Sequence, residues 1–248
     1  MDLAGKHIIV TGASTGIGRA AAEKVVALGG KVTVIARSQD KLEAMRAELG
    51  DAVHVAPADV ANGAALTAAL DKAAAFAPVD GVFCNAGIGG TFAPIEAYTD
   101  ENFDALIAVN MIAHFRTVRH LFPAMKERGK GSIVITGSLA SERGMAMNVA
   151  YVMSKHAVLG LARAAALEGA GHNIRVNCLV PGFIDTPLMD GIPPEQLEHL
   201  AGNVPQRRLG SSEEAANVAA FLLSDDASHV TGQCWAVDGG VLGTLAVR

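Results

Sequence analysis

The chain has 248 residues, of which half are hydrophobic, 18% charged and only 4% aromatic, with a net charge of -5. That hydrophobic share excludes a disordered chain, and the small negative charge argues against a nucleic-acid binder, which needs a basic face. The 27 glycines have no three-residue period, which excludes collagen, and the length suffices for a large core.

Short apolar runs alternate with longer Ala-rich stretches along the chain. Residues 7–11 (HIIVT) read as a strand, followed by a Gly-rich turn and a helix to about residue 28. Strand 31–36, helix 39–49, short strand 52–57, helix 63–76 and strand 79–84 come next. A long helix is expected at 101–128, then strand 132–136, helix 147–169, strand 173–179, helix 211–223 and a last strand at 233–237. Strands this apolar, without clean alternation, suit a parallel sheet covered on both faces. The strand–helix–strand repeats make the expected fold a Rossmann-like, doubly wound α/β sheet with helices on both faces. No Pro/Ser-rich linker divides the chain, so residues 1–248 are expected to form one domain. Segment 182–210, with Pro187, Pro193, Pro194 and Pro205, is the least regular stretch and the expected substrate-binding lid.

The three cysteines, Cys84, Cys178 and Cys234, are odd in number, far apart and all in strand-like runs. They read as buried, inert thiols in a reducing, cytoplasmic setting. No apolar signal region opens the chain and no run approaches the roughly 18 apolar residues of a membrane span, so no membrane partner is expected. The eight histidines show no HxxxH spacing, and no metal is expected.

The first strand runs into Thr11-Gly12-Ala13-Ser14-Thr15-Gly16-Ile17-Gly18. Gly12 allows the chain to leave the strand with a positive φ, Gly16 allows close approach of a pyrophosphate, and Gly18 allows tight packing of the helix. The helix N-terminus then offers free N–H groups and a positive dipole end to an anion. The second strand ends in Ala36-Arg37-Ser38. A neutral Ala36 and a cationic Arg37 suit a 2′-phosphate, so NADP(H) is favoured over NAD(H). Tyr151 and Lys155 are four apart in a helical stretch and share a face. A nearby ammonium favours the phenolate and would lower the tyrosine pKa from its usual value near 10. Ser138 follows strand 132–136, at the edge where ligands of open α/β sheets collect.

These motifs, with Asn85-Ala86-Gly87, Asn110 and Pro181-Gly182-xxx-Thr186, resemble the short-chain dehydrogenase/reductase family over nearly the whole chain. The thirteen residues from Ser138 to Tyr151 also suit that family. The resemblance implies an NAD(P)-dependent oxidoreductase in which Tyr151 is the acid/base and Ser138 orients the carbonyl. It implies that Lys155 holds the nicotinamide ribose and lowers the tyrosine pKa, and that Asn110 supports a relay water. Cofactor contacts are implied for Gly12, Ser14, Thr15, Gly16, Ile17, Gly18, Arg37, Asp59, Val60, Asn85, Ala86, Gly87, Tyr151, Lys155, Pro181, Gly182, Ile184 and Thr186. Among these, Asp59 would meet the adenine, Asn85 to Gly87 the adenosine side, and Ile184 with Thr186 the carboxamide. Thr15 stands where some NADP-dependent members carry a basic residue, so NAD(H) stays possible. The family's habit implies a homotetramer.

Candidate pocket residues are Phe92, Leu139, Met145, Met147, Phe183, Leu188, Met189 and Ile192. Their apolar character favours a small alicyclic or aromatic ketone or secondary alcohol; Glu142 and Arg143 either sit on the rim or read a polar group. The runner-up is a 3-oxoacyl-[acyl-carrier-protein] reductase, whose acidic partner needs a basic surface such as Lys126, Arg128 and Lys130. A non-catalytic dinucleotide sensor is a more distant alternative.

Overall fold

A computed structural model describes residues 1–244. Seven parallel strands form one sheet: β1 His7–Thr11, β2 Lys31–Ile35, β3 Val53–Val55, β4 Gly81–Cys84, β5 Gly131–Thr136, β6 Ile174–Pro181 and β7 Cys234–Val237. Their order is β3-β2-β1-β4-β5-β6-β7. The strand sequence reverses direction between β1 and β4, which makes a crevice at the C-terminal ends of those two strands.

Alternation along β1 explains why Ile8, Ile9 and Val10 are all apolar. Ile8 and Val10 join one core cluster and Ile9 joins the other. The first cluster is covered by α1 Gly16–Ala27, α2 Gln39–Leu49 and α8 Ser212–Leu223. The second is covered by α3 Gly63–Phe76, α5 Ala113–Arg128 and α6 Val149–Ala170. Ala20, Ala21 and Ala22 of α1 and Ala215, Ala216 and Ala219 of α8 are all buried. Methyl side chains let helices lie close on a sheet, so few aromatics are needed. Trp235 is one of the few, partly buried against Phe221 with ring centroids 5.5 Å apart.

Four expectations need correction. The long helix expected at 101–128 is broken: α4 Asp100–Ile107 and α5 are joined by a π-helical turn, Ala108–Ile112. A continuous helical periodicity does not reveal one extra residue in a turn. Segment 182–210 contains a helix of its own, α7 Pro194–Asn203, with Pro at its first turn, where proline is tolerated. Helix α6 starts at Val149 rather than 147, because Met147 has φ of 68°. Of the cysteines, Cys84 and Cys178 are buried, but Cys234 is only half-buried and its Sγ donates to Glu142 Oε1 at 2.9 Å. No helix of the described residues is long and apolar enough to cross a membrane.

Arg175 of β6 is buried and donates Nη1 to the Leu222 carbonyl at 2.8 Å and Nη2 to that of Ser224 at 2.9 Å. It thereby serves the orphan carbonyls at the end of α8, where a cation also suits the helix dipole. Arg175→Leu leaves the Ser224 carbonyl without this partner and should cost about 2–3 kcal/mol in urea unfolding. A change within about 0.5 kcal/mol, the range of neutral surface substitutions, would refute this role.

Candidate active site

The site is built where β1, β4 and β5 end. Thr11 Oγ1 accepts the backbone N–H groups of Asn85 at 3.0 Å and Ala86 at 3.1 Å. Asn85 Nδ2 donates to the Thr11 carbonyl at 3.3 Å, and Thr136 Oγ1 donates to Asn85 Oδ1 at 3.3 Å. These bonds tie the three strand ends together beneath the Gly-rich turn.

Gly12 leaves β1 with φ of 68°, and a Cβ there would lie 2.8 Å from Ala86 Cα. A Cβ on Gly18 would lie 2.2 Å from the Gly12 carbonyl oxygen, so α1 packs where only glycine fits. Thr15, the N-cap, makes no side-chain cap bond, and the first turn has no acid. The leading N–H groups of α1 therefore remain available to an anion. Ser14 and Ile17 are half-buried in the same turn, and Gly16 packs against the Thr186 side chain.

At the end of β2, Ala36 is buried, while Arg37 is exposed and makes no side-chain hydrogen bond or ion pair among the described residues. Past β3, Val60 is buried and Asp59 is exposed, with Oδ1 accepting the Ala61 N–H at 3.0 Å. On the far side, the Gly182 N–H donates to the Val237 carbonyl at 2.9 Å, and Ile184 pairs with Gly210, closing the base of segment 182–210. A cavity of about 320 Å³ lies there, lined in part by Phe183, Ile184, Val204 and Asp238. None of Asn110, Ser138, Tyr151 and Lys155 lines it.

Ser138 follows β5 and caps a short 3-10 turn, Leu139–Ser141. Its Oγ accepts the Ala140 N–H at 3.2 Å, and its own N–H donates to Ser141 Oγ at 3.1 Å. Lys155 is buried, and its Nζ donates to the Thr136 carbonyl at 2.8 Å. That Nζ lies 5.6 Å from the centroid of the Tyr151 ring. Burial pulls the ammonium down to about 8. Burial pushes the Tyr151 phenol above its ordinary value, and a hydrogen bond with Ser138 pulls the other way. The lowered tyrosine pKa expected from the Lys155 charge is thus not what this geometry produces: desolvation dominates. Asn110 sits inside the π turn, fully buried. Its Oδ1 accepts the Ile88 N–H and its Nδ2 donates to the Ile88 carbonyl, both at 2.8 Å. A Cβ on Gly87 would lie 3.6 Å from Asn110 Oδ1 and 3.9 Å from Lys155 Nζ, so these two polar groups border the same point.

Sequence reasoning missed three participants. Thr136 contributes through its carbonyl and hydroxyl, and a backbone acceptor has no sequence signature. Asn148 caps α6, one residue beyond the pocket candidate Met147. His114 of α5 is fully buried, and its Nε2 has no partner among the described residues. Its place one turn beyond Asn110 was the available signal.

A family model described as enoyl-(acyl carrier protein) reductase matches residues 12–242. The chain belongs to the short-chain dehydrogenase/reductase family of NAD(P)-dependent oxidoreductases. It is 40% identical over 248 residues to a 2,5-dichloro-2,5-cyclohexadiene-1,4-diol dehydrogenase of Sphingobium indicum, covering 96% of this chain and 98% of that one. The crystal structure of levodione reductase superimposes with a TM-score of 0.92 at 33% identity, over 96% of this chain and 98% of that one. A 3-ketoacyl-(acyl-carrier-protein) reductase from Brucella melitensis, complexed with NADH, gives 0.92 at 32% identity, over 97% and 99%.

Burial pulls His114 down to about 3, with the Lys155 charge adding to it. Unfolded, the imidazole titrates near 6.5. Between those values the unfolded chain binds a proton that the folded chain does not, so stability is lost as pH falls below about 6.5. The loss from this one group is about 1.4 kcal/mol per pH unit. His114→Leu should flatten the acid limb of the melting-temperature profile; an unchanged limb would refute the assignment.

Proposed function

We propose that the protein interconverts a small, mostly apolar secondary alcohol and its ketone, with NADP(H) favoured as cofactor. The observation that carries this reading is Tyr151, Ser138 and the buried ammonium of Lys155 gathered beside an uncapped, glycine-cradled helix terminus. That cradle suits a dinucleotide pyrophosphate, and a buried ammonium beside a lone carbonyl suits ribose hydroxyls. The contacts are assigned to Gly12, Ser14 to Gly18, Arg37, Asp59, Val60, Asn85 to Gly87, Tyr151, Lys155, Pro181, Gly182, Ile184 and Thr186. When bound there, the nicotinamide would supply or receive the hydride. Ser138 holds the substrate oxygen. Tyr151 donates its phenolic proton to that oxygen in reduction and takes the hydroxyl proton in oxidation. The ammonium of Lys155 stabilises the transient phenolate, and Asn110 holds Ile88 and the relay water in place.

The substrate class follows from the walls. Phe92, Ile95, Met145, Met147 and Leu188 are exposed apolar side chains on three loops at this edge of the sheet. Glu142 is engaged by Cys234, and Arg143 donates to the carbonyls of Glu142 and Leu242. These bonds hold both side chains against the protein. The acyl-carrier reading loses support for a related reason. Arg128 donates to the Val79 carbonyl, Lys130 pairs with Asp80 at 2.9 Å, and Lys126 lies over the Phe122 ring. Segment 182–210 is assigned as the lid within one domain. Phe115, Met153 and Leu167 stand exposed on α5 and α6 and support a homotetramer, which light scattering tests against a monomer mass.

Tyr151→Phe should lower turnover at least 100-fold while NADPH affinity stays within a few-fold, since only the proton-transfer group is removed. Turnover within about tenfold of wild type would refute the mechanism. A panel of cyclic, aromatic and acyl-carrier ketones, run in both directions with both cofactors, tests the substrate class. Arg37→Ala should weaken NADPH about tenfold and leave NADH unchanged, the value of one charge-assisted hydrogen bond to a phosphate. Equal effects on both cofactors would remove the NADP preference.

A further inference from the structure

Asn148 is 1% exposed and uses both ends of its amide. Its Oδ1 accepts the Tyr151 backbone N–H at 3.4 Å, as a helix cap does. Its Nδ2 donates to the Gly89 carbonyl at 2.7 Å, in the loop that follows β4. Capping alone requires only an acceptor, so the second bond needs its own explanation. The residue before it, Met147, is in the left-handed region at φ 68°, which strains a non-glycine residue. The Met147 carbonyl in turn accepts the Ala93 N–H at 2.7 Å. Two short hydrogen bonds thus clasp the segment that launches α6 to the loop after β4, across the mouth of the site. The same loop holds Ile88, whose peptide is gripped on the other side by Asn110. Tyr151 lies three residues beyond Asn148, in the first turn of α6, so the clasp fixes the backbone from which its ring projects.

We propose that Asn148 is a positioning residue for Tyr151: its bond to the Gly89 carbonyl sets the first turn of α6 against the loop after β4 and aims the phenol at the substrate oxygen. This rests on the reading of Tyr151 as the acid/base, and failure of that reading would appear separately, as activity retained in Tyr151→Phe. Asparagine offers both groups at the required reach. Serine keeps a capping acceptor but has no donor that reaches Gly89, and aspartate keeps the acceptor while turning a second lone-pair oxygen toward that carbonyl.

Asn148→Ala, Asn148→Ser and Asn148→Asp in the full chain separate the two roles. The measurements are kcat, KM, NADPH affinity by fluorescence, the pH profile of kcat and the melting temperature. All three should lower kcat about 10–100-fold, the order expected for a reacting group displaced by up to 1 Å. NADPH affinity should stay within twofold, and the pH limb that reports the tyrosine should move. Serine, which retains the cap, should melt close to wild type yet share the kcat loss. If serine restores kcat to within twofold, Asn148 is a helix cap only and the proposal fails. It fails equally if the losses track NADPH affinity or melting temperature, or if the pH limb stays in place. Should alanine not fold, serine and aspartate carry the comparison under the same outcomes.

Discussion

An ammonium group is held inside this protein with no carboxylate pairing it among the described residues. Lys155 is buried and its named partner is the Thr136 carbonyl at 2.8 Å. Burying an unpaired charge is unfavourable, and the fall of its pKa to about 8 reflects that. The neighbourhood is arranged around this cation. His114, also buried, stays neutral beside it, and the Tyr151 ring lies 5.6 Å from its Nζ. A site that desolvates its groups strengthens every electrostatic interaction formed in it. The raised Tyr151 pKa is the other face of the same desolvation.

The cation can be held there because the sheet beneath it is over-determined. Thr136 is both the last residue of β5 and the donor to Asn85, and Asn85 is bonded to Thr11 at the end of β1. The carbonyl that fixes Lys155 is therefore connected through two side chains to the turn that leads into α1. The Gly-rich turn and Lys155 belong to one hydrogen-bonded unit. The π turn at Ala108–Ile112 places Asn110 against the Ile88 peptide, in the loop after β4, and such turns concentrate at functional sites. The small side chains noted in the composition serve the same end. Gly12 and Gly18 are where backbone meets backbone, and the alanines of α1 and α8 seat their helices closely on the sheet.

Much of the fold was legible because both signals are local. The ranges 39–49 and 63–76 match α2 and α3 to the residue, since apolar periodicity and flanking turn residues mark helix ends. The Gly-rich turn was equally readable, because three glycines between a strand and a helix have few alternative uses. The break at Asn110 was not readable, because a π turn adds one residue to a periodic pattern without changing its composition. Helix α7 was hidden by prolines that read as loop signals although Pro194 occupies a first-turn position.

The sequence by itself determined the sheet class, the Gly-rich turn between β1 and α1, and the chemical groups present: a tyrosine and a lysine one helical turn apart and a serine at a strand end. These depend on spacing along one element or on adjacent elements. Only the tertiary structure decided the state of those groups and what holds them. Whether the Tyr151 phenol is pulled down by a charge or pushed up by burial depends on the surface taken from water around it, to which residues distant in sequence contribute. The commitments of Asn148 to Gly89, Glu142 to Cys234 and Lys155 to a backbone carbonyl join segments separated by 19 to 92 residues. No local pattern encodes those pairings, because they arise only when the strands lie side by side.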